Sequence, residues 1–127
     1  MEKREVKTEN APAPVGPYSQ AVISGGFVFC SGQIALDPRT GIIVGNDIES
    51  ETKQVMENLK AVLESASSSF DRVVKTTTFL KNMDDFARVN EVYGRYFGEI
   101  PPARSTIEVV KLPKGASVEI DCLALLN

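Results

Sequence analysis

The stretch Ser117-Val118-Glu119-Ile120-Asp121-Cys122-Leu123-Ala124-Leu125 decides the fold. Successive side chains of a strand point to opposite faces. Val118, Ile120, Cys122 and Ala124 therefore share one wholly apolar face, while Glu119, Asp121, Leu123 and Leu125 share the other. Leucines on the second face predict that both sides of the sheet become buried. Helices can cover one side of a two-layer domain. The other side calls for a partner subunit.

Working outward, Leu112-Pro113-Lys114-Gly115 reads as a turn and Ser105–Val110 as a strand. Pro101-Pro102 forces extended chain, and Gly98 marks the end of a helix over Asp84–Phe97. Phe86, Val89, Tyr93 and Phe97 make one face of that helix, which Asn82 or Asp84 caps. Val73–Lys81, rich in β-branched residues, reads as a strand. A longer helix over Ser50–Ser67 places Val55, Met56, Leu59, Val62, Leu63 and Ala66 at helical spacing. Asp47 or Ser50 is its expected cap, and Ser67-Ser68-Ser69 its end. Asp37–Gly41 is a turn. Phe27–Ser31 and Tyr18–Ser24 pair as strands about the Gly25-Gly26 turn, and the prolines of Asn10–Pro17 make that segment a loop. The order ββ, α, β, α, ββ predicts an α+β two-layer domain with two helices on one sheet.

The 127 residues suit a single domain, 1–127, with an unstapled hydrophobic core. A net charge of −3 disfavours a protein whose main task is holding nucleic acid, because phosphate binding needs concentrated positive charge. Cys30 and Cys122 lie in apolar runs and read as buried thiols. The sequence shows neither a signal-peptide pattern nor a run long enough to span a bilayer, so the expected setting is cytoplasmic. An organellar precursor without its transit peptide would read the same way.

The chain contains no histidine, so chemistry must fall to arginine, carboxylate, hydroxyl and backbone groups. Arg104, between the Pro101-Pro102 hinge and a β-rich run, is suited to gripping a planar carboxylate through two parallel hydrogen bonds. Read without context, it also fits a surface or salt-bridge arginine. Likewise Glu119 and Asp121 fit solvated strand-face carboxylates, Tyr18 ordinary packing, Ser31-Gly32 a strand end, and Asn90 a solvated helix position at the edge of the apolar stripe.

Five segments carry a family resemblance: Thr8-Glu9-Asn10-Ala11-Pro12 followed by Gly16-Pro17-Tyr18-Ser19-Gln20; Ser31-Gly32-Gln33-Ile34; Val73-Val74-Lys75-Thr76-Thr77; Asp85-Phe86-Ala87-Arg88-Val89-Asn90; and Pro102-Ala103-Arg104-Ser105 with Val118-Glu119-Ile120. In this order and spacing the chain resembles the YjgF/RidA family of small imine deaminases along almost its whole length. The resemblance implies a chorismate-mutase-like fold, a mixed sheet packed by two helices, and a homotrimer with a central barrel-like core and three clefts between subunits. It implies that Arg104 binds a substrate carboxylate and that Glu119 positions or activates water. Tyr18, Ser31 and Asn90 line the cleft, and backbone amides near Gly32 and Thr106 contact substrate. Many relatives carry cysteine where this chain has Thr106, which puts any thiol-dependent account in doubt. The implied reaction is hydrolysis of a 2-imino acid or its enamine to a 2-keto acid and ammonia, without metal or cofactor, because a protonated imine is already electrophilic. The implied partners are small 2-imino or 2-keto carboxylic acids and further copies of the chain, with no membrane. Two other readings remain at this point: an RNA-acting protein of the endoribonuclease or translation-inhibitor type, and a non-catalytic trimeric ligand-binding module.

Overall fold

The computed structural model describes residues 2–126. Its strands are β1 (Arg4–Val6), β2 (Ala21–Ser24), β3 (Phe27–Gln33), β4 (Val73–Leu80), β5 (Ala103–Glu108) and β6 (Val118–Leu125). Its helices are α1 (Ile48–Ser65) and α2 (Phe86–Gly94). The six strands form one sheet in the order β1-β2-β3-β6-β4-β5, antiparallel except for the parallel β4–β5 pair. Both helices cover a single face, giving the two layers expected. No helix among the described residues is long and apolar enough to cross a membrane.

β6 sits at the centre, between β3 and β4, as its two-sided pattern requires. Val118, Ile120, Cys122 and Ala124 are buried beneath the helices. Across the strands their rows continue through Val28 and Cys30 on β3 and through Thr76, Thr78 and Leu80 on β4. From α1, Val55, Met56, Leu59, Val62 and Leu63 close this core with no exposed surface. Asp47 starts α1 by accepting the Ser50 amide at 2.7 Å, and that bond holds its carboxyl below the usual carboxylate range. Both cysteines are buried free thiols.

Among the described residues no helix covers the opposite face of the sheet. Rows of register partners there place Phe27 beside Leu125, Phe29 beside Leu123, and Glu119 beside Phe79 and Ile107. Phe29, Ile107 and Leu125 stand 48%, 45% and 40% exposed.

Several boundaries differ from the sequence reading by about two residues, and three differences have a clear physical cause. Strand β1 is additional; its pairing with β2 is a long-range event that three residues do not announce. Strand β2 begins at Ala21 and not at Tyr18, because Gln20 turns inward. Its side-chain nitrogen donates to the carbonyls of Thr8, Ala11 and Pro12 at 3.0, 3.3 and 2.8 Å, and its oxygen accepts the Thr8 amide at 2.8 Å. This single side chain ties the proline-rich loop to the sheet. Finally, α2 ends at Gly94, and a turn of 3₁₀ helix (Met83–Asp85, with Asn82 accepting the Asp84 amide) precedes it. Glycine weakens the helix there. Beyond it, Tyr96 and Phe97 pack edge-on against Phe70, with ring centroids 5.4 and 5.3 Å away.

Replacing Gln20 by Ala leaves several of these backbone groups without partners. The variant is expected to lose about 2–3 kcal/mol of stability in urea unfolding.

Candidate functional site

The seven residues singled out in the sequence fall into two groups. Tyr18, Ser31, Gly32 and Glu119 line one cavity of about 360 Å³, walled otherwise by Pro12, Ala13, Val15, Ile34, Leu36 and Pro113. Arg104 and Asn90 line a separate groove with Tyr93, Pro101 and Pro102. Thr106 lies two residues along β5 from Arg104, on the same side of the strand.

The first group is assembled by a β-bulge that periodicity does not reveal. Between the pairs Cys30–Cys122 and Gln33–Ile120, β3 advances three residues while β6 advances two. Ser31 and Gly32 therefore both oppose Asp121, and the bulge aims them at the helix-free face, where Glu119 stands. The Ser31 hydroxyl donates to the Ser19 carbonyl at 2.6 Å, leaving its lone pairs to accept. The Tyr18 oxygen accepts the Val15 amide at 3.1 Å, leaving its proton to donate. Gly32 makes room for the carboxylate: a Cβ built on it would collide with Glu119 Oε2. Partial burial pushes the Glu119 carboxyl above the usual glutamate range, and the nearby Asp121 charge adds to the effect. Asp121 is also raised by burial, against the Thr77 amide it accepts at 3.1 Å and the Lys75 charge.

The second group lies on the helix-covered side of the sheet. Arg104 is the parallel register partner of Thr76, and Thr106 that of Thr78. The Arg104 guanidinium carbon sits 4.8 Å from the Tyr93 ring centroid and 5.5 Å from that of Phe86. Arg39, Arg88 and Arg95 each pair with a carboxylate, whereas among the described residues Arg4, Arg72 and Arg104 pair with none, and of these three Arg104 is the one set between two aromatic rings. Asn90 Oδ1 and Thr106 Oγ1 are buried without hydrogen-bond partners among the described residues. A cation with open donors and unsatisfied polar atoms close by is a setting for a small polar ligand.

Arg104 and Glu119 thus point to opposite faces of one sheet. One small ligand cannot touch both within a single chain.

The Endoribonuclease L-PSP family model matches residues 8–126. The chain belongs to the YjgF/RidA family. It is 54% identical over 122 residues to a RutC family protein of Pyrococcus horikoshii, covering 96% of this chain and 97% of that one. It is 44% identical over 126 residues to Reactive Intermediate Deaminase A, chloroplastic, of Arabidopsis thaliana, covering 99% of this chain and 67% of the relative. The crystal structure of E. coli TdcF with bound serine superposes with a TM-score of 0.91 at 38% identity, over 96% of this chain and 98% of that one. The fold is the chorismate-mutase-like α+β fold that the resemblance implied.

Sequence reasoning missed Phe86 and Tyr93 as neighbours of Arg104, placing both in the core-facing stripe of α2. Phe86, Asn90 and Tyr93 recur at four and three residues, so they form a stripe of their own. That spacing was legible, but its target on β5 was not.

The Glu119 carboxyl keeps its proton to higher pH in the folded chain than in the unfolded one. Its contribution to stability is therefore present in acid and is lost as pH rises through the raised folded-state value. Glu119→Gln should melt above wild type at neutral pH, with the gap closing on acidification to about pH 4. Thermal melts across that range check this.

Proposed function

We propose that this protein is a cofactor-independent hydrolytic deaminase of small 2-imino acids and their enamine tautomers, 2-aminoacrylate and 2-aminocrotonate, working as a homotrimer. The observation that carries the reading is Arg104: a cation braced by two aromatic rings, unpaired among the described residues, at the mouth of a groove. Its fork fits the substrate carboxylate. The likeness to a reactive intermediate deaminase and to a protein that holds serine, an amino carboxylate, supports a ligand of this size and charge.

The split site supports an assembly in which neighbouring copies complete each cleft, and the homotrimer is the form proposed. The helix-free face exposes Phe29, Ile107 and Leu125, and it also carries Glu119. In the proposed assembly that face packs against another copy, which buries the apolar rows, and the Tyr18–Ser31–Gly32–Glu119 cavity of one subunit meets the Arg104–Asn90 groove of its neighbour. Such a cleft between subunits holds both halves of the chemistry. The cytoplasm is the setting proposed.

The steps need only these groups. The imine is held by its carboxylate on Arg104, which turns an encounter into an oriented complex. Glu119 aligns a water on the imine carbon and takes its proton as the C–O bond forms. The resulting carbinolamine expels ammonia when its nitrogen is protonated and its hydroxyl proton leaves as the C=O bond forms; Glu119, with its raised proton affinity, is suited to give the first proton and take the second. The products are a 2-keto acid and ammonia, with no change in oxidation state. Tyr18 and Ser31 offer a donor and an acceptor beside the carbinolamine hydroxyl.

An RNA-acting role, which the family model's description evokes, finds little support in a chain of net charge −3 without histidine.

A dehydratase that generates 2-aminoacrylate from serine, run with a trap for the imine, measures keto-acid release. Wild type should accelerate release, and Arg104→Ala should lower that acceleration about a hundredfold, the loss of two charge-assisted hydrogen bonds. Folded wild-type protein without acceleration would refute the reading. In the same assay Gly32→Ala should cost about tenfold by displacing the Glu119 carboxylate, with stability changed by less than about 1 kcal/mol because a flexible side-chain end is what yields.

A further inference from the structure

We infer that Phe86 and Tyr93 form an aromatic clamp that fixes the direction of the Arg104 guanidinium, so that both are positioning residues for the carboxylate-binding fork. This rests on the carboxylate reading of Arg104 given above.

An arginine side chain is long and rotamer-rich, and on an edge strand nothing in the backbone determines where its head lies. Proteins usually fix such a head with a carboxylate, but a carboxylate occupies the N–H fork that a ligand would need. An aromatic face avoids this. Stacking uses the flat face of the guanidinium, whereas its N–H donors lie in the plane. Two rings with centroids 4.8 and 5.5 Å from the guanidinium carbon hold the cation, and no hydrogen bond or ion pair among the described residues uses its donors. The absence of a paired carboxylate at Arg104 among the described residues is what this arrangement requires.

The clamp is itself anchored. Tyr93 is 6% exposed, and its hydroxyl lies 2.7 Å from Thr76 Oγ1. Thr76 is the register partner of Arg104, so this bond ties α2 to the same rung of the sheet that carries the arginine. The Tyr93 ring also packs on Phe97 at 4.8 Å between centroids. Phe86 opens α2 and is 39% exposed, so it contributes little to the core, yet it stands over the guanidinium. Thr76, Tyr93 and Phe86 thus form a bracket whose open side is the Arg104 fork.

The test uses full-length labelled protein and two readouts. Nuclear magnetic resonance gives the order parameter and ring-current shift of the Arg104 Nε–H group, and calorimetry gives the affinity for 2-oxobutanoate. Tyr93→Phe keeps the ring but loses its bond to Thr76, so it should retain that ring's share of the shift and lower the order parameter and affinity less than Tyr93→Leu does. Tyr93→Leu and Phe86→Leu should each lower the order parameter, abolish that ring's share of the shift and weaken binding about tenfold, with no further loss when combined with Arg104→Ala. Should Tyr93→Leu fail to fold, Phe86→Leu still decides, because its site is half exposed. An Arg104 group equally ordered in the folded Leu variants overturns the clamp. If ordering is lost in those variants while Arg104→Ala leaves affinity unchanged, the clamp stands and the carboxylate reading falls.

Discussion

A strand can show each residue to only one side of its sheet, and that constraint governs this molecule. β6 lies at the centre, so its alternation is carried to both neighbours: Ile120 and Cys122 go to the helix-covered core, Glu119 and Asp121 to the helix-free face. Arg104, in register with Thr76 through β4, is on the core side. The two residues best suited to chemistry are thereby separated by the thickness of a sheet. The proposed assembly resolves that separation: the apolar rows that leave the face unfinished lie on the surface that also bears Glu119.

The environments of the two groups differ in ways that suit separate tasks. Glu119 stands in a partly buried pocket beside a second carboxylate, so its affinity for a proton rises. Such a group can both take and return a proton. Arg104 keeps its charge whatever its surroundings, and here the surroundings are aromatic faces that constrain it without engaging its donors. Each half of the site depends on small structural choices nearby. Gly32 yields space to the carboxylate, the Ser31–Gly32 bulge points the cavity wall, Gln20 tethers the loop that closes it, and Thr76 steadies the ring beneath the arginine.

Much of this was legible in the chain. Periodicity of 3.6 identified the buried stripe of α1 residue by residue, from Val55 to Ala66, because a helix face is a local property. Period-two alternation identified the core face of β6, and side-chain chemistry narrowed the α1 cap to Asp47 or Ser50, of which the structure uses Asp47. The candidate site residues came from ordered motifs, and the structure gathers them into two groups. What escaped was set by partners distant in sequence. The three residues of β1 become a strand only by pairing with β2, and the parallel pairing of β4 with β5 is invisible to a pattern that cannot report direction. The bulge depends on register against β6, and the early end of α2 on aromatic packing against Phe70.

The sequence by itself determined the two-layer class, the apolar core stripes of α1 and β6, and that a chain without histidine leaves any chemistry to groups such as Arg104 and Glu119. These are consequences of side-chain type and short-range periodicity. Only the tertiary structure decided that these two residues face opposite ways, that Glu119 sits where burial and Asp121 raise its proton affinity, and that α2 lays two aromatic rings over Arg104. Those outcomes depend on strand order and register, which are settled by the packing of the whole chain.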